Sequence, residues 1–176
     1  PFHSIGFFSI FETELVQNAS IYTGGFDAKY GGRISSIMDI TYRDGDRKKF
    51  GGKISVSPFM AKAVLEGPFS KPKNGKFSPG TYIFLAKHSL LDYVSKSIYP
   101  KVNNGDGMPF SFTDLYGKIT FKGEGGSKFN AFGFYNDDRV NYDIADIQWT
   151  QGGGGINFLL VPNSSPIFVR GHVNGS

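Results

Sequence analysis

The 176-residue sequence contains no cysteine. That excludes a disulfide framework, a thiol nucleophile and Cys-ligated zinc or iron–sulfur centres. Charge is sparse, at 19% of residues, and the net charge of +4 comes from scattered Lys and Arg. No basic stripe marks a nucleic-acid footprint, so no nucleic-acid partner is expected. Long apolar runs are missing too. The most apolar stretch, residues 156–162, falls far short of the roughly 18 residues a transmembrane helix needs. Helix signals are few. Only residues 7–17 suit a short helix, with Ser9 as N-cap and Glu12 three positions on, and an irregular loop suits them equally. The chain opens on Pro1-Phe2-His3-Ser4, without Met and without the charged and apolar regions of a signal peptide. It closes on Asn174-Gly175-Ser176, just after an alternating run. It reads as a piece of a longer protein, so a missing leader says nothing about compartment.

Glycine and aromatic residues dominate instead. There are 24 glycines, about twice the average usage, together with 18 Phe and 9 Tyr. Glycine without a three-residue period is not collagen, and so many aromatics argue against a disordered chain. The pattern is one of strands and glycine-rich turns. Residues 15–23 and 34–42 are expected to pair as strands of a small compact unit, followed by a charged linker at 43–49. Ile54 and Val56 then share one parity, and Ala61, Ala63 and Leu65 the other, which points to a tight hairpin at Pro58-Phe59. Residues 70–80 read as a turn, 81–94 as a strand and 95–110 as a long polar loop.

Alternation is sharpest in residues 111–123. Leu115, Gly117, Ile119 and Phe121 share one face, and Asp114, Tyr116, Lys118, Thr120 and Lys122 the other. A hairpin turn is expected at 123–127. Residues 129–135 return as a strand, 136–146 form a polar loop, and 148–161 form a strand interrupted at Gly152 to Gly155. After a short turn at 163–165, Ile167, Val169 and Val173 alternate with Phe168, Arg170, His172 and Asn174. A meander of about seven strands of roughly ten residues, with many aromatics and alternating loop lengths, is the pattern of an outer-membrane barrel.

Tyr22-Thr23-Gly24-Gly25-Phe26-Asp27-Ala28-Lys29-Tyr30-Gly31-Gly32-Arg33, continuing through Asp39 and Ile40, resembles the end of the plug domain of TonB-dependent outer-membrane receptors. The Tyr-Gly-Gly-Arg version is similar to that of Bacteroidota receptors, including SusC-type relatives. Thr23-Gly24-Gly25 departs from the arginine–glycine form of the siderophore receptors. Glu66-Gly67-Pro68-Phe69, Tyr82-Ile83-Phe84, Ser89-Leu90-Leu91-Asp92, residues 112–118 and Asn136-Asp137-Asp138 resemble the first barrel strands of that group.

The resemblance implies a mainly β chain in two incomplete parts. Residues 1–46 would be the C-terminal part of a small α+β plug, and 47–176 the first strands of an antiparallel up-and-down transmembrane β-barrel. It implies active nutrient import across the outer membrane of a Gram-negative bacterium, the cargo being a siderophore, cobalamin, glycan or peptide. The implied partners are the TonB complex, acting through a segment outside this chain, outer-membrane lipid, and a surface lipoprotein of the SusD type. No cofactor and no enzymatic chemistry are implied.

Gly24, Gly25, Tyr30, Gly31, Gly32, Arg33 and Asp39 are the residues matching the plug motif, and an Arg33–Asp39 pair is a candidate contact. Asp114, Tyr116, Lys118, Lys122, Arg170 and His172 are the candidate lumen-facing residues.

Other site chemistry is thin. His3, His88 and His172 lack metal-ligand spacing, and Asp44-Gly45-Asp46 and Asp137-Asp138 lack the EF-hand pattern. Asp44-Gly45-Asp46 is expected to be a solvated turn. Asp143 and Asp146 beside Asp137-Asp138 make a weak cation site at most. No Lys-Ser/Thr follows the Gly152 run, so it is no P-loop, and a bend or close approach of the plug is expected there. No Ser sits in a G-x-S-x-G setting. The rival class is a soluble β-sandwich that binds glycans on an aromatic platform. Aromatics clustered on one concave face would favour it, and aromatics banded at strand ends would favour a membrane girdle.

Overall fold

The computed structural model describes residues 12–25, 27, 35–72, 77–105, 107–142, 145–162 and 167–176. The chain is mainly β and divides into two compact units, one within residues 9–43 and one from Asp44 onward. Among the described residues no helix is long and apolar enough to cross a membrane, which leaves strands untouched by that test.

The first unit is an antiparallel pair. Strand β1 (Val16–Tyr22) runs against β2 (Ile37–Tyr42), with Ser20 opposite Asp39 and Tyr22 opposite Ile37. Ser9, the candidate N-cap, lies outside the described residues, and residues 13–15 form a turn closed by Leu15 N–H donating to the Glu12 carbonyl at 2.9 Å. Arg43 closes the unit. Its amide donates to the Leu15 carbonyl at 2.8 Å and its Nε to the Glu14 carbonyl at 2.9 Å.

The second unit is a seven-stranded antiparallel sheet in simple meander order. Its strands are β3 (Gly51–Val56), β4 (Met60–Pro68), β5 (Gly80–Ser89), β6 (Phe110–Lys122), β7 (Lys128–Tyr142), β8 (Ala145–Leu160) and β9 (Val169–Gly175). The β3–β4 hairpin turns at Pro58-Phe59, with Ser57 N–H donating to the Met60 carbonyl at 2.8 Å. A two-residue turn reverses parity, so Ile54 faces Ala63 and Val56 faces Ala61. The β6–β7 turn needs glycine, because Gly125 and Gly126 have φ of +79° and +93°.

Four expectations fail. Strand β5 ends at Ser89, not near 94, and helix α1 (Leu91–Ile98) follows it. Ser89 Oγ accepts the Leu91 N–H at 3.2 Å and so relieves one free amide of the first turn. Leu91 and Ser95, one turn apart, form the buried stripe of α1. The expected loop at 95–110 is therefore partly ordered: α1 runs to Ile98 and a 3₁₀ turn spans Val102–Gly105. Ser95 Oγ accepts the Met108 N–H at 2.7 Å, and Gly107, at φ +83°, leaves no room for a Cβ beside that hydroxyl.

The expected loop at 136–146 is mostly strand. β7 and β8 stay in register up to Tyr142 opposite Ala145. The polar side chains that suggested a loop satisfy one another across the ladder. Asp137 accepts from Gln148 Nε2 at 2.9 Å and Thr150 Oγ1 at 2.7 Å, and Arg139 holds both oxygens of Asp146.

Finally, Gly152 to Gly155 do not interrupt β8. Gly153 lies opposite Phe134 and Gly155 opposite Phe132. A Cβ at Gly153 would come within 2.9 Å of the Phe134 ring, and one at Gly155 within 3.0 Å of the Phe132 ring. The close approaches that these glycines permit are to those rings on β7 and to the Gly175 and Val173 carbonyls of β9.

Candidate functional site

Period-two alternation splits the seven-stranded sheet into one face without charges between its two ends and one that carries charges beside the buried Val64, Ile83, Leu85 and Phe112. Every paired position of one parity can be followed across the ladders. One row runs Gly67, Tyr82, Ile119, Ala131, Ile156, Val173. The next runs Gly52, Leu65, Phe84, Gly117, Gly133, Gly154, Gly175, and the next Ile54, Ala63, Ala86, Leu115, Tyr135, Gly152. These rows hold apolar residues and glycine only. Their side chains stay open, with Ile54 77% and Val173 73% exposed. A shallow trough of about 350 Å³ opens where Gly117 and Gly133 stand side by side between Phe84, Ile119 and Ala131.

The apolar face has two dissimilar ends. At the end that carries the β6–β7 turn it closes on a row of Phe121, Phe129 and Phe158. Phe69 stacks on Phe121 and tilts against Tyr82, each at 5.5 Å between ring centroids. At the other end, the face turns polar along one register row: His88, Thr113, Asp137, Thr150. His88 Nδ1 lies 2.9 Å from Thr113 Oγ1, and Thr150 Oγ1 donates to Asp137. Along β8 the apolar and glycine positions run from Gly152 to Leu160, about 27 Å at 3.4 Å per residue.

All the charges between those two ends lie on the opposite face. Asp114, Tyr116, Lys118 and Lys122 of β6 share it with Lys53, Lys62, Glu66, Lys87, Lys128 and Asp138. Arg170 and His172 of β9 belong to the same face, opposite Leu159 and Asn157, three strands away from β6. Basic groups outnumber acidic ones there.

Two clusters organise this face. In the first, buried Lys87 and Asp114 form an ion pair of 2.7 Å, and Asn136 Nδ2 donates to Asp114 Oδ1 at 2.7 Å. The Lys87 ammonium also sits 5.4 Å from the Phe112 ring centroid.

The second cluster was not legible as a site, and it corrects the expected solvated turn at Asp44-Gly45-Asp46. Asp44, 13% exposed, holds three lysines: Lys118 at 2.9 Å on Oδ1, and Lys122 at 2.9 Å and Lys128 at 2.8 Å on Oδ2. Thr120 Oγ1 adds a contact at 3.1 Å. Burial alone would raise the Asp44 carboxyl, but the ammoniums of Lys128, Lys122 and Lys118 outweigh it and hold the group far below the usual carboxylate range.

Gly45 makes the placement possible, because a Cβ there would lie 2.1 Å from the Tyr82 carbonyl oxygen. The rest of the linker is also bound. Asp46 N–H donates to Glu66 Oε2 at 3.0 Å, Asp46 Oδ1 accepts the Lys48 N–H at 2.6 Å, and Arg47 Nε donates to the Ser78 carbonyl at 2.9 Å.

Of the residues matching the plug motif, Gly24 and Gly25 lie beyond β1, Gly25 with φ +64°, and Asp39 lies in β2. Tyr30, Gly31, Gly32 and Arg33 lie outside the described residues, and so does the expected Arg33–Asp39 pair. The weak cation site does not assemble. Asp137 and Asp138 point to opposite faces, Asp146 is paired with Arg139, and Asp143 is outside the described residues. Among the described residues no group of three or more His, Asp or Glu converges on a metal position. His88 and His172 sit on opposite faces, and His3 is not described. The turn at 163–165 also falls outside the described residues. Comparison with protein-family models, curated proteins and solved structures gives no match.

Proposed function

We propose that the chain is part of a TonB-dependent outer-membrane transporter that actively imports a nutrient, with the β1–β2 pair as the end of the plug and the seven-stranded sheet as the start of the barrel wall. The observation that carries the reading is the uncharged face. A soluble sheet of seven strands buries such a face or breaks it with polar residues, whereas a barrel wall turns it to hydrocarbon. The height also suits. At the 35–45° tilt of barrel strands, the 27 Å run on β8 spans about 20 Å of the membrane normal, close to the usual band of about 25 Å. Aromatics banded at one end, the row of Phe121, Phe129 and Phe158, suit an interfacial girdle better than a stacking platform. The polar face would then line the lumen.

Transport by this route needs no covalent chemistry. Substrate would bind between outer loops and plug, and an inner-membrane complex would pull the plug through TonB. The cargo would be a siderophore, cobalamin, glycan or peptide, with a SusD-type lipoprotein as a surface partner if the cargo is a glycan or peptide. This part of the reading rests on the resemblance of residues 22–40.

The test is flotation of the purified chain with phospholipid vesicles in a density gradient. The chain is expected to float, and to need detergent when lipid is withheld. A stable, soluble monomer without detergent would overturn the barrel reading.

A further inference from the structure

We infer that Lys118, Lys122 and Lys128 form a binding site for a small dissolved oxyanion of the phosphate class, a site that Asp44 occupies only in part. The first argument is charge. Three ammoniums converge within 2.9 Å of one carboxylate, and Lys122 and Lys128 share a single oxygen of it.

The second is register. Lys122 and Lys128 are directly opposite each other across the β6–β7 ladder. Like charges in that position destabilise a sheet unless an anion lies between them. Asp44 supplies one carboxylate oxygen to the two of them, and a tetrahedral oxyanion would supply several.

The third is accessibility. Lys122 and Lys128 each contact Asp44 Oδ2, an ammonium has three donors, and the two side chains remain 37% and 31% exposed. Lys118, at 9%, anchors the site from a poorly hydrated position where charge–charge attraction is stronger.

The site opens on the face opposite the apolar one, so a dissolved ion and not a bilayer headgroup is its ligand. The choice of a dissolved ion over a headgroup rests on the lipid-facing reading of the apolar face, whereas the anion site itself depends on neither transport nor membrane insertion.

The test is calorimetric titration of the chain with inorganic phosphate at low ionic strength, in detergent micelles or, should the chain prove soluble, in plain buffer. Saturable one-site binding that sulfate displaces is expected. Asp44→Asn removes the competing charge and is expected to tighten binding about fivefold or more. The pair Lys122→Gln and Lys128→Gln is expected to abolish saturation, while Lys122→Arg with Lys128→Arg retains it. Absence of saturation in the wild type, unchanged affinity in Asp44→Asn, or unchanged affinity in the glutamine pair would each overturn the site. Circular dichroism checks the strand content of each variant. Should a variant lose it, the wild-type titration with sulfate competition decides alone.

Discussion

Ile119→Lys separates a lipid-facing sheet from a water-facing one, because the two settings assign the same substitution very different costs. Ile119 lies mid-face on β6, between Tyr82 and Ala131 in register, and is 37% exposed. In water a lysine at such a position reaches solvent with its head and lays its stem over its neighbours, at a cost within about 1 kcal/mol. In hydrocarbon, a lysine near the midplane of a barrel wall costs about 2–4 kcal/mol. At about 1.4 kcal/mol per factor of ten, vesicle partitioning should fall about 30- to 700-fold. Asn157→Lys is the control. Asn157 sits on the polar face between Asn130 and His172, and its variant is expected to partition within about threefold of wild type. The assay is flotation over a range of lipid concentrations. If Ile119→Lys partitions within about threefold of wild type, the assignment of this face to lipid is refuted.

Four further outcomes follow from the polar face and the linker. Asp44→Asn should cost about 3 kcal/mol in urea unfolding, mainly by leaving Lys118 poorly hydrated without its counter-charge. Because the folded Asp44 carboxyl is held below its ordinary value of 3.8, its contribution is complete above that value and is lost as pH falls towards the folded one. The wild-type advantage over Asp44→Asn should therefore stay constant from about pH 7 to 5 and shrink only below about pH 4, read from urea midpoints. Gly45→Ala drives a methyl into the Tyr82 carbonyl and should cost about 1–3 kcal/mol in the same assay. Asp114→Ala leaves Lys87 buried without its partner and should cost about 3–5 kcal/mol, while Lys87→Met with Asp114→Leu should recover most of it.

Strand positions and faces were legible where alternation was strict. Leu115 to Phe121 against Asp114 to Lys122 announced both faces of β6, and the parity change at Pro58-Phe59 announced the first hairpin. The failures have physical causes. Helix α1 was read as more strand because Val94 and Tyr93 extend the β-rich run, and its i, i+4 signal, Leu91 and Ser95, includes a serine. The β7–β8 extension was read as loop because aspartates and asparagines are poor strand formers in isolation, whereas here Gln148, Thr150 and Arg139 satisfy them across the ladder. The Asp44 cluster could not be read from spacing at all. Its members are up to 84 positions apart, and only the pairing of β6 with β7 brings Lys122 and Lys128 together beneath the linker. A signal existed in retrospect: lysines at both ends of a hairpin turn, on the same face, call for an anion.

The row His88, Thr113, Asp137 and Thr150 gives the sheet a polarity that alternation alone does not. At that end β7 and β8 continue past the row with two polar pairs on the same face, Arg139–Gln148 and Asn141–Asp146, whereas at the other end the face closes on phenylalanines. In a bilayer the two ends would meet opposite interfaces, the phenylalanine row one and the row of Asp137 the other. Inverting such a wall would keep its apolar band in hydrocarbon and exchange those interfaces. The difference between the ends would therefore be read at the two surfaces of the membrane, not in its interior.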